Sequence, residues 1–299
     1  MSGEIRRAVE LLAAPGSVVE VRALADGVTH SGYFDDHKAL VQAVEPLDAD
    51  PAVAGIYVTL NAPNPALLAR RANRIKMRLS RKDATTADAD ITRRRWFPID
   101  IDPVRPGGVS STDEEHDAAI AATERIAAYL AEQGFPSPIK ADSGNGAHLL
   151  YRIDLENDGA ATEVVRGALA TLDALFSNDV ITVDTANHNA ARIWKLYGTV
   201  SRKGDNTPER PHRRAKVLAA PEEIEIVPVD RLRHLAGLLP REEPRRSKNT
   251  AGIDLAAWLA EHGIAVRNTR PWQGGTLYVL AECPFSSAHN DGAFAIQFA

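Results

Sequence analysis

Trp96-Phe-Pro-Ile-Asp-Ile-Asp-Pro103 decides how this chain is read. Side chains alternate along a strand, so Asp100 and Asp102 share one face while Ile99 and Ile101 point the other way, into a core. Two neighbouring carboxylates repel each other and lose solvation when partly buried, so they need a cation or a proton between them. Hard divalent ions such as Mg²⁺ or Mn²⁺ prefer oxygen ligands and suit such a pair. Pro103 has no N–H to donate and ends the ladder. Two acids on an exposed strand are the alternative reading of this stretch taken alone.

Working downstream, Pro106-Gly-Gly108 and Ser110–Asp113 read as a loop, with Ser111 or Thr112 capping a helix from Glu114 to Gln133 that Gly134 terminates. His116 on this helix reads as a surface histidine. Pro138-Ile-Lys140 opens a strand, and Asp142-Ser-Gly-Asn-Gly-Ala-His148 follows as a tight turn into another. Such a turn lets backbone N–H groups approach an anion, with Ser143 and Asn145 adding side-chain hydrogen bonds. His148 then faces the same cleft or serves as an ordinary strand histidine. A helix over about 160–176 precedes Val180–Asp184, a strand ending in an acid with Thr182 and Asp184 on one face. Arg192, Lys195, Arg202, Lys203, Arg210, Arg213, Arg214 and Lys216 come next, and cations beside a carboxylate pair are what a triphosphate needs. Trp194 and Tyr197 read as core.

Upstream, residues 4–14 form an amphipathic pattern stopped by Pro15-Gly16. Val18–Leu24 alternates like a strand, Gly32–Phe34 resembles another, a helix runs from Asp36 through about Val44, and Gly55–Leu60 has high strand propensity. A helix is expected from Ala66 to about Ile75. Residues 70–95 hold ten basic side chains, read either as a solvated face or as a surface that follows a phosphate backbone. Beyond the centre, Ile224–Val227 reads as a strand and Val229–Leu239 as a helix. Pro240–Asn249 is polar and twice broken by proline, which marks a linker. Ile253–His262 then reads as a helix, with apolar strands at Thr276–Ala281 and Ala293–Phe298.

Composition bounds the rest. The 299 residues, 44% hydrophobic and 25% charged, suit a soluble globular protein of one large or two ordinary domains. Cys283 is the single cysteine, which excludes an intramolecular disulfide and suits a reducing compartment. No apolar run approaches spanning length and no signal-peptide core follows the N-terminus, so no membrane partner and a cytoplasmic location are expected. The formal net charge of −5 does not advertise a nucleic-acid binder, although local clusters decide what a cleft attracts.

The ordered set of Asp100-x-Asp102, then Ser143 with His148, then a strand-terminal Asp184 followed by Arg and Lys resembles the archaeo-eukaryotic primase superfamily. Within it, Asn189–Arg214 looks like the phage- and plasmid-type primase-polymerases. The resemblance covers about residues 33–220, with its Ser/His motif stretched by Gly-Asn-Gly-Ala. It implies an α+β fold, in which an RRM-like catalytic core at 96–225 follows an N-terminal α/β unit at 1–95, together a catalytic domain over 1–225. A helix and linker would occupy 226–249, and a small helix-plus-hairpin piece 250–299, truncated at Ala299. By the same carry-over, Asp100, Asp102 and Asp184 would hold two Mg²⁺ or Mn²⁺ ions. Ser143, Asn145, His148, Arg192 and Lys195, with Lys140 and Lys203, would grip the triphosphate. Implied partners are a single-stranded DNA template, held by the basic segments at 70–95 and 202–216, an NTP or dNTP, and a helicase domain or protein. Cys283 and His289 could supply half of a zinc site, but two ligands do not make one, and no ordered zinc is expected within this chain. A metal-dependent nuclease and a catalytically silent DNA- or nucleotide-binding module are the competing functions.

Overall fold

The computed structural model describes residues 2–239, 254–272, 275–284 and 293–298. The chain divides into two compact units, Met1–Pro240 and Arg241–Ala299.

In the first unit, α1 (Ser2–Leu12), β1 (Val19–Ala25), β2 (Val28–Phe34), α2 (His37–Ala49) and β3 (Val53–Thr59) precede the central strand β4 (Arg93–Pro103). Then follow α3 (Asp113–Glu132), β5 (Ile139–Asp142), β6 (Ala147–Glu156), α4 (Gly159–Phe176) and β7 (Ile181–Val183). Short strands β8 (Ile193–Lys195), β9 (Val200–Ser201), β10 (Arg213–Arg214) and β11 (Lys216–Ala219) lead to α5 (Val229–Ala236). The fold is mixed α and β with antiparallel sheets. One sheet has the order β11-β5-β6-β4-β7, the other β2-β1-β3-β8, and β9 pairs with β10. From β4 to β7 the chain runs β-α-β-β-α-β, and its four strands lie in the order fourth, first, third, second. Among the described residues no helix is long and apolar enough to cross a membrane.

The alternation in β4 decides which side of the sheet does what. Phe97, Ile99 and Ile101 are fully buried against α3 and α4, packing with Ile126, Leu130, Leu169 and Leu172. Trp96 faces the other way, into a second core shared with Leu150, Ile139, Val58 and Trp194 between the two sheets. Its indole N–H donates to the Leu12 carbonyl at 3.1 Å, which ties the end of α1 to the sheet. Asp100 and Asp102 share the parity of Trp96 but lie beyond this core, with side chains 23% and 38% exposed. Thr112 caps α3 in a reciprocal pair with Glu115, as the sequence allowed.

Several local expectations are overturned. The helix expected over 66–75 is only a 3₁₀ turn, Pro65–Arg70. Residues beyond it run instead along the free edge of β2, where Tyr33 N–H donates to Arg71 C=O and Lys76 N–H to Ser31 C=O. A sheet edge satisfied by a passing loop outcompetes a helix of modest propensity. Ile224–Val227 is not a strand; Ile226 makes an isolated parallel bridge with Arg152, in which Val227 N–H donates to Arg152 C=O at 2.8 Å. The helix expected over 229–239 stops at Ala236. Grouped with the linker by sequence, it packs on α4, with Leu232 and Leu235 in the core and Thr171 Oγ1 donating to Leu235 C=O.

The second unit contains α6 (Leu255–Glu261) and a three-stranded antiparallel sheet, β12 (Val266–Trp272), β13 (Gly275–Leu280) and β14 (Phe294–Phe298), in that order. The sequence reading missed β12, whose Arg, Asn, Thr and Pro residues carry no apolar alternation. Pro271 is tolerated because β12 is an edge strand. His289, and with it the expected Cys283/His289 pair, lies outside the described residues.

Candidate active-site cleft

Register across three strands assembles the site. In the antiparallel ladders Asp100 lies opposite His148 on β6, and Asp102 lies opposite Thr182 on β7. Asp184 N–H donates to Asp100 C=O at 2.9 Å, which extends the β4–β7 register by one residue and sets Asp184 across from Asp100. Directly opposite residues on one face are near neighbours. The backbone positions of His148, Asp100 and Asp184 therefore form one row over the centre of the sheet, with Asp102 in the next, but the Asp184 side chain is not among those that line the cleft with Asp100 and Asp102.

Each acid has a donor partner. His148 Nε2 lies 3.4 Å from Asp100 Oδ1, Arg105 Nη1 lies 3.2 Å from Asp102 Oδ1, and Arg192 Nη2 lies 3.3 Å from Asp184 Oδ2. The Asp184 carboxylate also caps a 3₁₀ turn through Ala186 N–H and accepts from Asn187 Nδ2 at 3.0 Å. Among the described residues no three His, Cys, Asp or Glu side chains are gathered as a metal ion would require. Burial opposes ionisation of Asp100, but His148, Lys203 and Arg192 outweigh it and hold its pKa below the usual carboxylate range. Asp102 moves the other way, raised by burial and by the Asp100 charge against the pull of Arg105 and Lys203. The two carboxylates thus divide into one firmly ionised and one reluctant to ionise.

The cleft around them has a volume of about 300 Å³. Asp100, Asp102, Ser143, Asn145, His148, Arg192, Lys195 and Lys203 all line it, together with Tyr57 and Asn187. The turn on its wall cannot be built from other residues. Gly144 sits at φ +92°, and a Cβ on Gly146 would stand 2.4 Å from Ile101 C=O. Ser143 Oγ accepts from Gly146 N–H at 2.9 Å, so this hydroxyl helps to hold the turn. Asn145 Oδ1 accepts from Ser111 N–H at 3.0 Å, while its buried Nδ2 has no partner among the described residues. A buried amide donor without an acceptor costs free energy, and this one belongs to a residue lining the cleft.

His148 is oriented from behind. Its Nδ1 is 3.0 Å from Tyr197 Oη, which also accepts from Trp194 Nε1 at 2.8 Å. Its ring packs on Trp194 with centroids 4.1 Å apart. Trp194 and Tyr197 are almost wholly buried, as the sequence suggested.

Lys195 is a buried amine more than a free cation. Its Nζ donates to Val200 C=O at 2.8 Å and lies 5.6 Å from the Tyr57 ring centre. Burial lowers its pKa to about 7, with Arg202 and Arg214 adding to the shift and Asp48 opposing it. From about pH 7 up to the ordinary lysine value, the unfolded chain binds a proton that the folded chain does not, so stability rises with pH there. Lys195→Met should therefore be more stable than wild type near pH 6, with the advantage shrinking towards pH 10. A difference in melting temperature that stays constant from pH 6 to pH 10 would contradict a neutralised amine.

Three further placements differ from the sequence reading. Lys140 has the opposite parity to Ile139, and its Nζ pairs with Glu124 of α3 at 2.6 Å, so the structure puts it on the helix side of the sheet, away from the cleft. His116 is not a free surface histidine; its Nε2 is 2.9 Å from Asp142 Oδ1, which also accepts from Gly144 N–H and braces the turn. The basic segments are largely neutralised from within. Arg71 meets Glu20, Arg93 and Arg95 meet Asp154, Arg210 meets Glu115, Arg213 meets Asp113, and Arg214 meets Asp48. Arg74, Arg78, Arg81, Lys82, Lys203 and Lys216 remain exposed.

Sequence reasoning missed Tyr57 and Arg105. Burial and the charges of Asp100 and Asp102 raise the Tyr57 phenol pKa. Only the arrival of β8 beside β3 brings Tyr57 to the cleft, pairing it with Lys195, and nothing local announces that. Arg105 follows Asp102 by three residues, and its Nε donates to Val109 C=O. Comparison with family models, with curated proteins and with solved structures finds no match to this chain.

Proposed function

We propose that this chain is a template-dependent DNA primase-polymerase, transferring nucleotidyl groups from an NTP or dNTP to a 3′-hydroxyl during replication of a phage, plasmid or other mobile element. The observation that carries the reading is the row His148–Asp100–Asp184 across the central strands, with Asp102 beside it and the unpartnered Asn145 amide on the cleft wall. The β-α-β-β-α-β order of the sheet supports an RRM-like core.

The acidic pair supplies part of the oxygen set that a divalent cation takes, and among the described residues no third acid is gathered with it. Two adjacent carboxylates, one of them reluctant to ionise because of the other, offer only oxygen donors in a partly buried cleft. Asp100 and Asp102 would hold Mg²⁺ or Mn²⁺, and Asp184 would join them by exchanging its bond to Arg192. Such ions, when bound, neutralise a triphosphate and lower the pKa of a primer hydroxyl. Arg192, released from Asp184, and Lys203 would face the phosphates, and Asn145 Nδ2 would donate to a phosphate oxygen. His148 holds Asp100 ionised and in place, because both ring nitrogens are already engaged. The cations Arg192 and Lys203 on the same cleft suit a free triphosphate better than a water nucleophile, which disfavours the nuclease alternative.

The test is strand synthesis by the purified chain on single-stranded DNA with Mn²⁺ or Mg²⁺, comparing labelled NTPs with dNTPs. Template-directed products are expected. Degradation of the DNA without added nucleotides, or no product with either nucleotide type, would overturn the reading.

A further inference from the structure

We propose that Arg152, with Arg95 and Arg93, forms a second site that binds a phosphate group, at the opposite end of the sheet face that carries the acidic pair. This inference does not rest on the polymerase reading. It begins with strand parity: Arg152 lies two pleats beyond His148 on β6 and points to the same face. Four residues of strand separate them by about 13 Å, so the two places are distinct.

A cavity of about 280 Å³ opens there between the α1–β1 connection and strands β4 and β6. Leu12, Val19 and Leu60 give it an apolar wall, and the three arginines give it a cationic one. The charges do not balance. Arg93 and Arg95 both pair with Asp154 Oδ1, and Arg93 also takes Glu156, which leaves three guanidinium groups to two carboxylates. Among the described residues Arg152 makes no ion pair; its guanidinium stands over the Trp96 ring, 5.2 Å from the centre. Burial and the Arg95 charge both depress its pKa, and Asp154 offsets them only in part. A half-buried guanidinium, stacked on an indole and without an ion pair among the described residues, is arranged for planar, two-pronged recognition of an oxyanion. The apolar wall beside it suits the base or sugar that carries the phosphate. Phosphate on a free nucleotide and phosphate at a nucleic-acid end share this chemistry.

Calorimetric titration of the full chain in EDTA tests the site, using pyrophosphate, AMP, and a trinucleotide with either a 5′-phosphate or a 5′-hydroxyl. Wild type should bind at least one phosphate-bearing probe and bind the 5′-hydroxyl trinucleotide at least tenfold more weakly than its phosphorylated form. A preference for AMP points to a free nucleotide, and a preference for the phosphorylated trinucleotide to a strand end. Arg152→Met and Arg95→Gln should each weaken binding at least tenfold, Arg152→Lys should fall between, and Asp100→Asn should bind as wild type does. Should Arg152→Met fail to fold, the Arg95→Gln and Arg152→Lys results decide. Three results would overturn the proposal: no binding of any probe by wild type, wild-type affinity in the arginine variants, or loss of binding in Asp100→Asn.

Discussion

Asp102→Asn should abolish strand synthesis while leaving the protein as stable as wild type or more so. Asparagine keeps the shape of the side chain and a carbonyl oxygen to face Arg105 Nη1, now 3.2 Å from Asp102 Oδ1. What goes is one negative charge from a place where burial and the Asp100 charge already oppose it. A carboxylate whose pKa is raised in the folded chain costs stability where it is ionised, so relief of that repulsion favours the fold. Loss of a pre-arranged charge-stabilising group costs transfer reactions about 10²- to 10³-fold in rate. Activity and stability should thus part company, as they do where a site is held at the expense of the fold. Asp184→Asn offers a contrast: its carboxylate caps a 3₁₀ turn and anchors Arg192, so some stability should go along with activity. Paired melting curves and primer-synthesis rates decide the matter. Undiminished synthesis by Asp102→Asn removes the acidic pair from the chemistry, and a drop of many degrees in its melting temperature makes the pair structural.

How far the site could be read without coordinates follows from the range of each signal. The period of two in Trp96–Pro103 separates Asp100 and Asp102 from Ile99 and Ile101, and it needs no partner to be visible. The turn at 142–148 is equally local, because only glycine tolerates φ +92° at residue 144 and the approach of Ile101 C=O to residue 146. Lys140 failed for the same reason that the acids succeeded: its parity assigns it to the helix side, and proximity in sequence to Ser143 is no guide to facing. The remaining errors concern long-range pairing. β8 leaves the sheet of its sequence neighbours to complete the other sheet, which brings Trp194 behind His148 and Tyr57 over the acids. Basic side chains in 70–95 and 202–216 suggested a free cationic surface, yet their acidic partners lie far away in the chain, as Arg214 and Asp48 do.

Glu20→Gln should cause the largest loss of stability, with the melting temperature falling on the order of 10 °C near neutral pH. An alternating strand such as β1 ordinarily carries its polar side chains to water. Glu20 is instead fully buried, because the loop beyond Arg70 lies across that face. Its carboxylate accepts from Arg22 Nη2 at 2.8 Å, from Ser31 Oγ at 2.6 Å and from Thr86 N–H at 2.9 Å, and Arg71 lies 3.7 Å away. Arg71 also donates to Ala84 C=O, and Arg22 to Thr86 C=O, so one acid organises the strap that covers the sheet. Removing one member of a buried charge network costs about 3–5 kcal/mol, because the others are left uncompensated. For a unit of this size each kcal/mol is worth roughly 2–4 °C. Burial works against ionised Glu20, but Arg22, Ser31 and Thr86 prevail and lower its pKa below the ordinary value of 4.5. A depressed carboxylate pKa gives stability that is complete above the unfolded value and disappears as pH falls through the folded one. The gap between wild type and Glu20→Gln should therefore be constant around neutrality and close in acid, below about pH 4.5. Thermal melts from pH 3 to pH 8 check both statements. The strap also carries the exposed Arg74, Arg78, Arg81 and Lys82. If they follow a template backbone, freeing the strap should weaken DNA binding most at low salt, where such contacts count most. A Glu20→Gln protein melting within 2 °C of wild type at pH 7 would mean that water, not the two arginines, satisfies this carboxylate.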